Sequence, residues 1–341
     1  MKKRVMVLLF VSFMIFVTGC TNNNNDNGSN ESDTKSVRVG FVTSETGLGD
    51  QAFNDAIHSG TKKAETALDN VKLTVIEPGD AAKLETSVRS LAREGNDLII
   101  AGAASLGDAV LVVAKEFPDT FFVIIDGDID DYDNVQSIKA NEEEAAYLTG
   151  AFAQLYAGEG NKIGFIGGMD IAVIKKFEVG FVEGAKAVGG TEADVLVSYT
   201  GVFNDPALGK QTAEAQHSNG ATVIFAAAGA CNLGMFEAAE NIGFTALGAA
   251  TGQFDKSDAI VASHVKSVDD LAESVITRFA NGEKLTNGIV KYGLKEMGVD
   301  FRYNPQNPEN NIEIPQEIID KIEALKQQII NGDINVASFI E

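Results

Sequence analysis

Gly47-Leu48-Gly49-Asp50-Gln51-Ala52 fits the dinucleotide fingerprint G-x-G-x-x-A, in which glycines let the backbone approach a pyrophosphate. A β-rich run precedes it, and Glu77 ends the next such run, where a ribose-binding acid would stand. However, four residues, Thr43 to Thr46, separate the strand from the first glycine, and the fingerprint needs a tight turn. Ala103-Ala104-Ser105-Leu106-Gly107 has the layout of a nucleophile elbow with one glycine replaced. Its partner would have to be His217 or His264, and neither has local support. His58, His217 and His264 are scattered, so no metal cluster is visible. Asp126, Asp128 and Asp130 imitate the start of a calcium loop, but Asp131 stands where glycine is required and Ser137 where the closing glutamate belongs. No G-x-x-x-x-G-K-[ST] occurs, which excludes nucleotide hydrolysis by that route. These residues assemble no catalytic set, no metal site and no resident cofactor.

The elements that would position a site read as a repeated β-rich run, turn and amphipathic helix from Val37 onward. Expected strands are Arg38–Val42, Lys72–Ile76, Asp97–Ala101, Thr120–Ile125, Val135–Lys139, Lys162–Ile166, Val195–Tyr199, Thr222–Ala226, Thr245–Gly248 and Ile260–Ala262. Most are short Val/Ile/Phe-rich runs, as parallel strands buried on both faces should be. Helix signals lie between them. Asp80 caps a helix that stops near Gly95, Asn141 with Glu144 resembles a capping box, and Asp205 precedes a proline at the first helical position. Val39-Gly40-Phe41-Val42 recurs as Ile163-Gly164-Phe165-Ile166, and at the same offset Phe53 matches Phe177 and Gly60 matches Gly184. The expected fold is therefore α/β, with two Rossmann-like, doubly wound lobes. Ligands of such sheets bind beyond the carboxyl ends of the strands. Here those ends carry Thr43-Ser44, Gly102-Ala103, Asp126-Gly127, Gly167-Gly168-Met169, Gly201-Val202-Phe203, Gly229-Ala230 and Thr251-Gly252-Gln253. Glycines, carboxylates, amides and flat rings make an inventory suited to binding more than to catalysis.

The 341 residues suggest two domains, and the net charge of −22 should repel nucleic acid and anionic headgroups. Lys2, Lys3 and Arg4 form a basic region ahead of the apolar run Val5 to Val17, the layout of a secretory signal spanning residues 1–19. It ends in Val17-Thr18-Gly19-Cys20, which resembles a bacterial lipobox, with Cys20 as the acylated residue. Several acyl chains on one residue anchor stably. Residues 20–36 then hold Asn, Asp, Ser and Gly and read as a flexible tether. Beyond Cys20 the sole cysteine is Cys231, so the body has no internal disulfide. A chain secreted in this way meets no NAD pool.

Gly47-x-Gly49-Asp50-Gln51-Ala52-Phe53-Asn54 followed by Gly60 resembles the opening motif of the basic membrane protein (BMP) family of lipoproteins, solute-binding receptors of ABC transporters, several of which take purine nucleosides. Further matches are Phe122-Val123-Ile124-Ile125-Asp126, Phe165-Ile166-Gly167-Gly168-Met169, Gly201-x-Phe203-x-Asp205-Pro206, Ala226-Ala227-Ala228-Gly229 and Ser263-His264-Val265-Lys266. The resemblance runs from about Val37 to about Asn304 and implies the type I periplasmic-binding architecture, two lobes joined by a hinge. It implies one lobe of residues 37–140 plus about 267–290, and another of 141–266 plus about 291–341. It also implies a monomer on the outer face of the cytoplasmic membrane that binds a small molecule and docks on an ABC permease.

Residue by residue, the resemblance places a purine between Phe53 and Phe203, with Asp126 accepting from base N–H groups. Asp50 and Asn54 add polar contacts or cap the first helix, the Gly229 backbone approaches the sugar, and Lys266 donates to ribose hydroxyls. One departure stands out. Where the family usually reads Gly-Val-Asp-x-Asp-Gln, this chain reads Gly248-Ala249-Ala250-Thr251-Gly252-Gln253, so Ala250 replaces a ribose-diol acceptor and Gln253 alone keeps its place as a ligand contact. The favoured reading is a receptor for a nucleoside or related flat heterocycle. The alternatives are a regulatory or sensory lipoprotein of the same fold, and an NAD-dependent oxidoreductase using the Gly47 fingerprint.

Overall fold

The computed structural model of the chain describes residues 36–307 and 312–340. The first half runs β1 (Val37–Val42), α1 (Phe53–Ala67), β2 (Val71–Ile76), α2 (Leu84–Arg93), β3 (Leu98–Ala101), α3 (Gly107–Glu116), β4 (Phe121–Ile125) and β5 (Val135–Ala140). Next come α4 (Glu142–Ala157), β6 (Lys162–Gly167), α5 (Ala172–Ala187), β7 (Val195–Tyr199), α6 (Pro206–Ser218), β8 (Ala221–Ala227), α7 (Cys231–Ile242), β9 (Thr245–Gly248) and β10 (Ile260–Lys266). The chain closes with α8 (Val268–Ala280), β11 (Gly288–Tyr292), β12 (Val299–Tyr303) and α9 (Gln316–Ile330).

Apolar runs such as Leu98–Ala101, buried at every position, cannot sit at a water-facing sheet surface, so helices cover both faces. One six-stranded sheet has the order β2-β1-β3-β4-β5-β11 and is parallel throughout. The other has the order β7-β6-β8-β9-β10-β12, parallel except for the antiparallel pair β10–β12. The two orders are the same, which makes the chain two α/β lobes built alike. The internal repeat has a packing cause. A Cβ on Gly60 of α1 would overlap the Asp269 carbonyl of α8, and a Cβ on Gly184 of α5 would overlap the Tyr147 carbonyl of α4. Each matched glycine thus lets two helices of its own lobe touch backbone to backbone.

The chain passes between the sheets after β5, after β10 and after β11. These crossings are tied together: Asn141 N–H donates to the Tyr292 carbonyl at 3.0 Å, Ser267 N–H to the Gly298 carbonyl at 3.0 Å, and Leu294 N–H to Glu144 Oε2 at 2.8 Å. That last bond corrects the expected capping box. The Asn141 side chain makes no backbone cap; its amide donates instead to Glu144 Oε1, and Glu144 serves the crossing. Asp80 caps a short 3-10 turn that leads into α2, accepting from Ala82 N–H, while Asp205 caps α6 as expected. Strand β10 runs on past Ala262 to Lys266, and β11 and β12 were not expected as strands. No described helix is long and apolar enough to cross a membrane.

Candidate functional site

A cavity of about 640 Å³ lies where the carboxyl ends of strands from both sheets meet. That volume is in the range of small-molecule sites. Of the residues singled out from the sequence, Asp50, Phe53, Asn54, Asp126, Phe203, Gly229 and Lys266 all line it. Gln253 does not, and Cys20 lies outside the described residues.

Phe53 opens α1, and the turn before it is held by its own acids. Asp50 accepts from the N–H groups of Ala52, Asn54 and Asp55, at 2.9, 2.8 and 3.2 Å, so its carboxylate fixes the start of the helix. Asn54, buried, donates to Ser44 Oγ, Thr46 Oγ1 and Asp50, and accepts from Ser44 N–H. Leu48 N–H donates to Glu77, and Gly49 N–H and Gln51 N–H donate to Asp55. The N–H groups that a dinucleotide's pyrophosphate would use are therefore occupied by the chain's own carboxylates, which removes the physical basis of the fingerprint. Ser105 Oγ donates to Glu45 at 2.9 Å, with no histidine against it, and Asp128 pairs with Lys139 at 2.8 Å.

Phe203 follows β7 on the opposite lobe. Gly168 and Gly229 make room for it: a Cβ on Gly168 would overlap the Phe203 ring, and Gly229, at φ +60°, would press a side chain on the Phe203 backbone. Phe53 and Phe203 thus face one cavity from two lobes.

The same cavity is lined by a chain of alternating charge. Lys266 Nζ, at the end of β10, donates to Asp126 Oδ1 and Oδ2 at 2.6 and 2.8 Å and to Glu142 Oε1 at 2.7 Å. Lys176 of α5 holds the other Glu142 oxygen at 3.1 Å and lies 3.5 Å from Glu143. The Lys266 side chain is 6% exposed and Glu142 is 2% exposed, so these are interior ion pairs. Burial works to discharge each group and the neighbours work to keep it charged. Burial pushes Asp126 above the usual carboxyl range in spite of Lys266. In Glu142 burial acts the same way, but the Lys266 and Lys176 ammoniums outweigh it and hold the carboxyl low. Burial would lower Lys266, and the Asp126 and Glu142 carboxylates raise it instead. Lys266 Nζ also lies 5.1 Å from the centroid of the Phe53 ring, a cation–π contact. All three ammonium protons face carboxylate oxygens, so direct donation to a ribose hydroxyl requires one of these bonds to be given up.

The match of one family model to residues 37–338 decides the family. The chain belongs to the PnrA-like family of ABC transporter substrate-binding proteins. Relatives of this family member include a CD4+ T-cell-stimulating antigen of Listeria innocua, 31% identical over 98% of this chain and 99% of that one. The ABC transporter nucleoside-binding protein BmpA of Lactococcus lactis subsp. cremoris is 30% identical over 99% and 100%. An ABC transporter solute-binding protein of Aeropyrum pernix K1 superimposes with a TM-score of 0.79, 29% identical, over 88% of this chain and 92% of that one. The type I periplasmic-binding fold expected from the resemblance is thereby shown.

Sequence reasoning did not single out Glu142 or Lys176. The available signal was the acidic run Glu142-Glu143-Glu144 opening a helix that is otherwise apolar and largely buried; two of those acids are themselves buried. Nor did it foresee how Gln253 is used. Its Oε1 accepts from Asn232 Nδ2 and Ala249 N–H, and its Nε2 donates to the Gln51 carbonyl.

Proposed function

We propose that this chain is a receptor, lipid-anchored at Cys20 outside the cytoplasmic membrane, that closes its lobes on a nucleoside or related flat heterocycle and delivers it to an ABC importer without catalysing a reaction. The observation that carries this reading is a single cavity furnished with Phe53 from one lobe, Phe203 from the other, and the Asp126 carboxylate beside them. Two rings on separate lobes can clamp a flat base by stacking, and the clamp expels water as it closes. Each Asp126 oxygen keeps a lone pair beyond its bond to Lys266 and can accept from base N–H groups. Lys266 orients that carboxylate and the Phe53 ring together. The lining acids Glu45, Asp50, Asp126, Asp128 and Glu142 outnumber the lining cations Lys139, Lys176 and Lys266, which disfavours phosphate and carboxylate ligands.

Calorimetry against nucleosides, free bases, a nucleoside monophosphate, sugars and amino acids tests the reading. Nucleosides or bases should bind, and the monophosphate should bind far more weakly. Binding of a sugar or an amino acid, with no response to any base or nucleoside, would overturn it.

A further inference from the structure

We infer that Gln253 is an interlobe latch rather than a ligand contact, an inference that rests on the two-lobed receptor reading. Gln253 follows β9 in the second lobe and is buried, 4% exposed. Its side-chain oxygen is anchored within that lobe by Asn232 Nδ2 at 3.1 Å and Ala249 N–H at 3.2 Å. With the oxygen fixed, the amide nitrogen has one direction to point. It donates at 3.0 Å to the backbone carbonyl of Gln51, in the first lobe.

Both ends of this bond are held in unusual backbone. Gln51 has φ +47° and Gln253 φ +55°, in the left-handed region that non-glycine residues seldom enter. Strain of this kind persists where the surroundings fix it, and it marks segments with a task. On the first-lobe side the surroundings are the Asp55 carboxylate, which takes the N–H groups of Gly49 and Gln51. Gln51 stands two residues before Phe53. The latch therefore grips the turn that carries one ring of the clamp, from the lobe that carries the other. Gln253 acts on affinity by setting the closed-to-open ratio and the placement of Phe53, with no contact to the bound molecule.

Two variants test this. Gln253→Met removes the donor and the acceptor. Gln253→Glu keeps the acceptor for Asn232 and Ala249 and sets a second oxygen against the Gln51 carbonyl; it carries the test should the first fail to fold. Spin labels on Lys83→Cys and Asp170→Cys, both exposed and on different lobes, report the interlobe distance in ligand-free protein. The closed-to-open ratio should fall roughly three- to tenfold, the worth of one hydrogen bond. Inosine, 2′-deoxyinosine and hypoxanthine, as calorimetric probes, should weaken by a common factor. Unchanged label distances in the folded variants, or a loss confined to one of the three probes, overturns the latch. If none of the three probes binds wild type, the site does not take this base, and the label distances alone decide the latch.

Discussion

Replacing Lys266 with methionine keeps a stem of about the same length and deletes the ammonium that three carboxylate oxygens face. Asp126, 11% exposed, is then left without a cation at contact, and Glu142, 2% exposed, keeps only Lys176. Stripping one partner from a buried ion pair costs about 3–5 kcal/mol, because the remaining charge has lost its water and gained nothing. Against a total folding stability of about 5–15 kcal/mol, that is a severe loss. Guanidinium unfolding followed by circular dichroism measures it as a fall in the midpoint at unchanged slope. The pH dependence carries the mechanism. With the ammonium gone, the folded-state pKa of Asp126 rises further above its unfolded value of about 3.9, so the folded state takes up a proton that the unfolded state has released. The deficit should be largest near pH 8 and shrink on acidification through that raised value, as the bare carboxylate is neutralised. Adding Asp126→Asn and Glu142→Gln should recover most of the loss. A deficit below about 1 kcal/mol, typical of a solvated surface pair, or one that is flat in pH, would refute the account of a buried charge line.

Phe203→Ala should weaken ligand binding by about 1–3 kcal/mol, or roughly ten- to a hundredfold, the value of one base–aromatic stack; wild-type affinity in a folded variant would make Phe203 a packing residue. Ala250 has φ +54°, a backbone that aspartate tolerates better than alanine, so Ala250→Asp should fold normally. Calorimetry should show little preference between a nucleoside and its deoxy analogue in wild type, and in the variant a ribose preference of about 1–3 kcal/mol, the worth of a buried hydroxyl's acceptor. A strong wild-type ribose preference would sink that idea. Cys20→Ser should release the protein from the membrane fraction or leave the precursor uncut, and a membrane-bound product of mature size would exclude lipidation. His264 is buried against Phe177 and Phe225, and burial lowers its pKa to about 4. Since the unfolded chain binds that proton more readily, its contribution to stability is present above about pH 6.5 and lost as the pH falls towards the folded value; NMR of the ring should show no titration above about pH 5.

The lobes were legible because their strands are short apolar runs between readable helix ends, and because one glycine pattern occurs twice. β11 and β12 escaped because Gly288–Tyr292 and Val299–Tyr303 are edge strands, partly exposed, and mix charged with apolar residues. The end of β10 escaped for the opposite reason: Ser263, His264 and Lys266 look like a polar loop but are buried. The cavity-lining residues could be named from the family resemblance, and Asp126, Phe203 and Gly229 stood at expected strand ends as well. Their mutual pairing could not, since Asp126, Glu142 and Lys266 are brought together by the crossings between sheets and by no local spacing.

The threading of the chain has a consequence for its synthesis. The sheet that begins with β1 needs β11 as its last strand, and α1 needs α8 to cover the face that Gly60 exposes. Both arrive only after every parallel strand of the other sheet has been made. The amino-terminal half cannot complete its core as it emerges from the ribosome, and its contacts of longest sequence separation form last. On the secretory route proposed above, a chain that stays unfinished until nearly its whole length exists would reach the membrane pore still loose enough to be threaded through it.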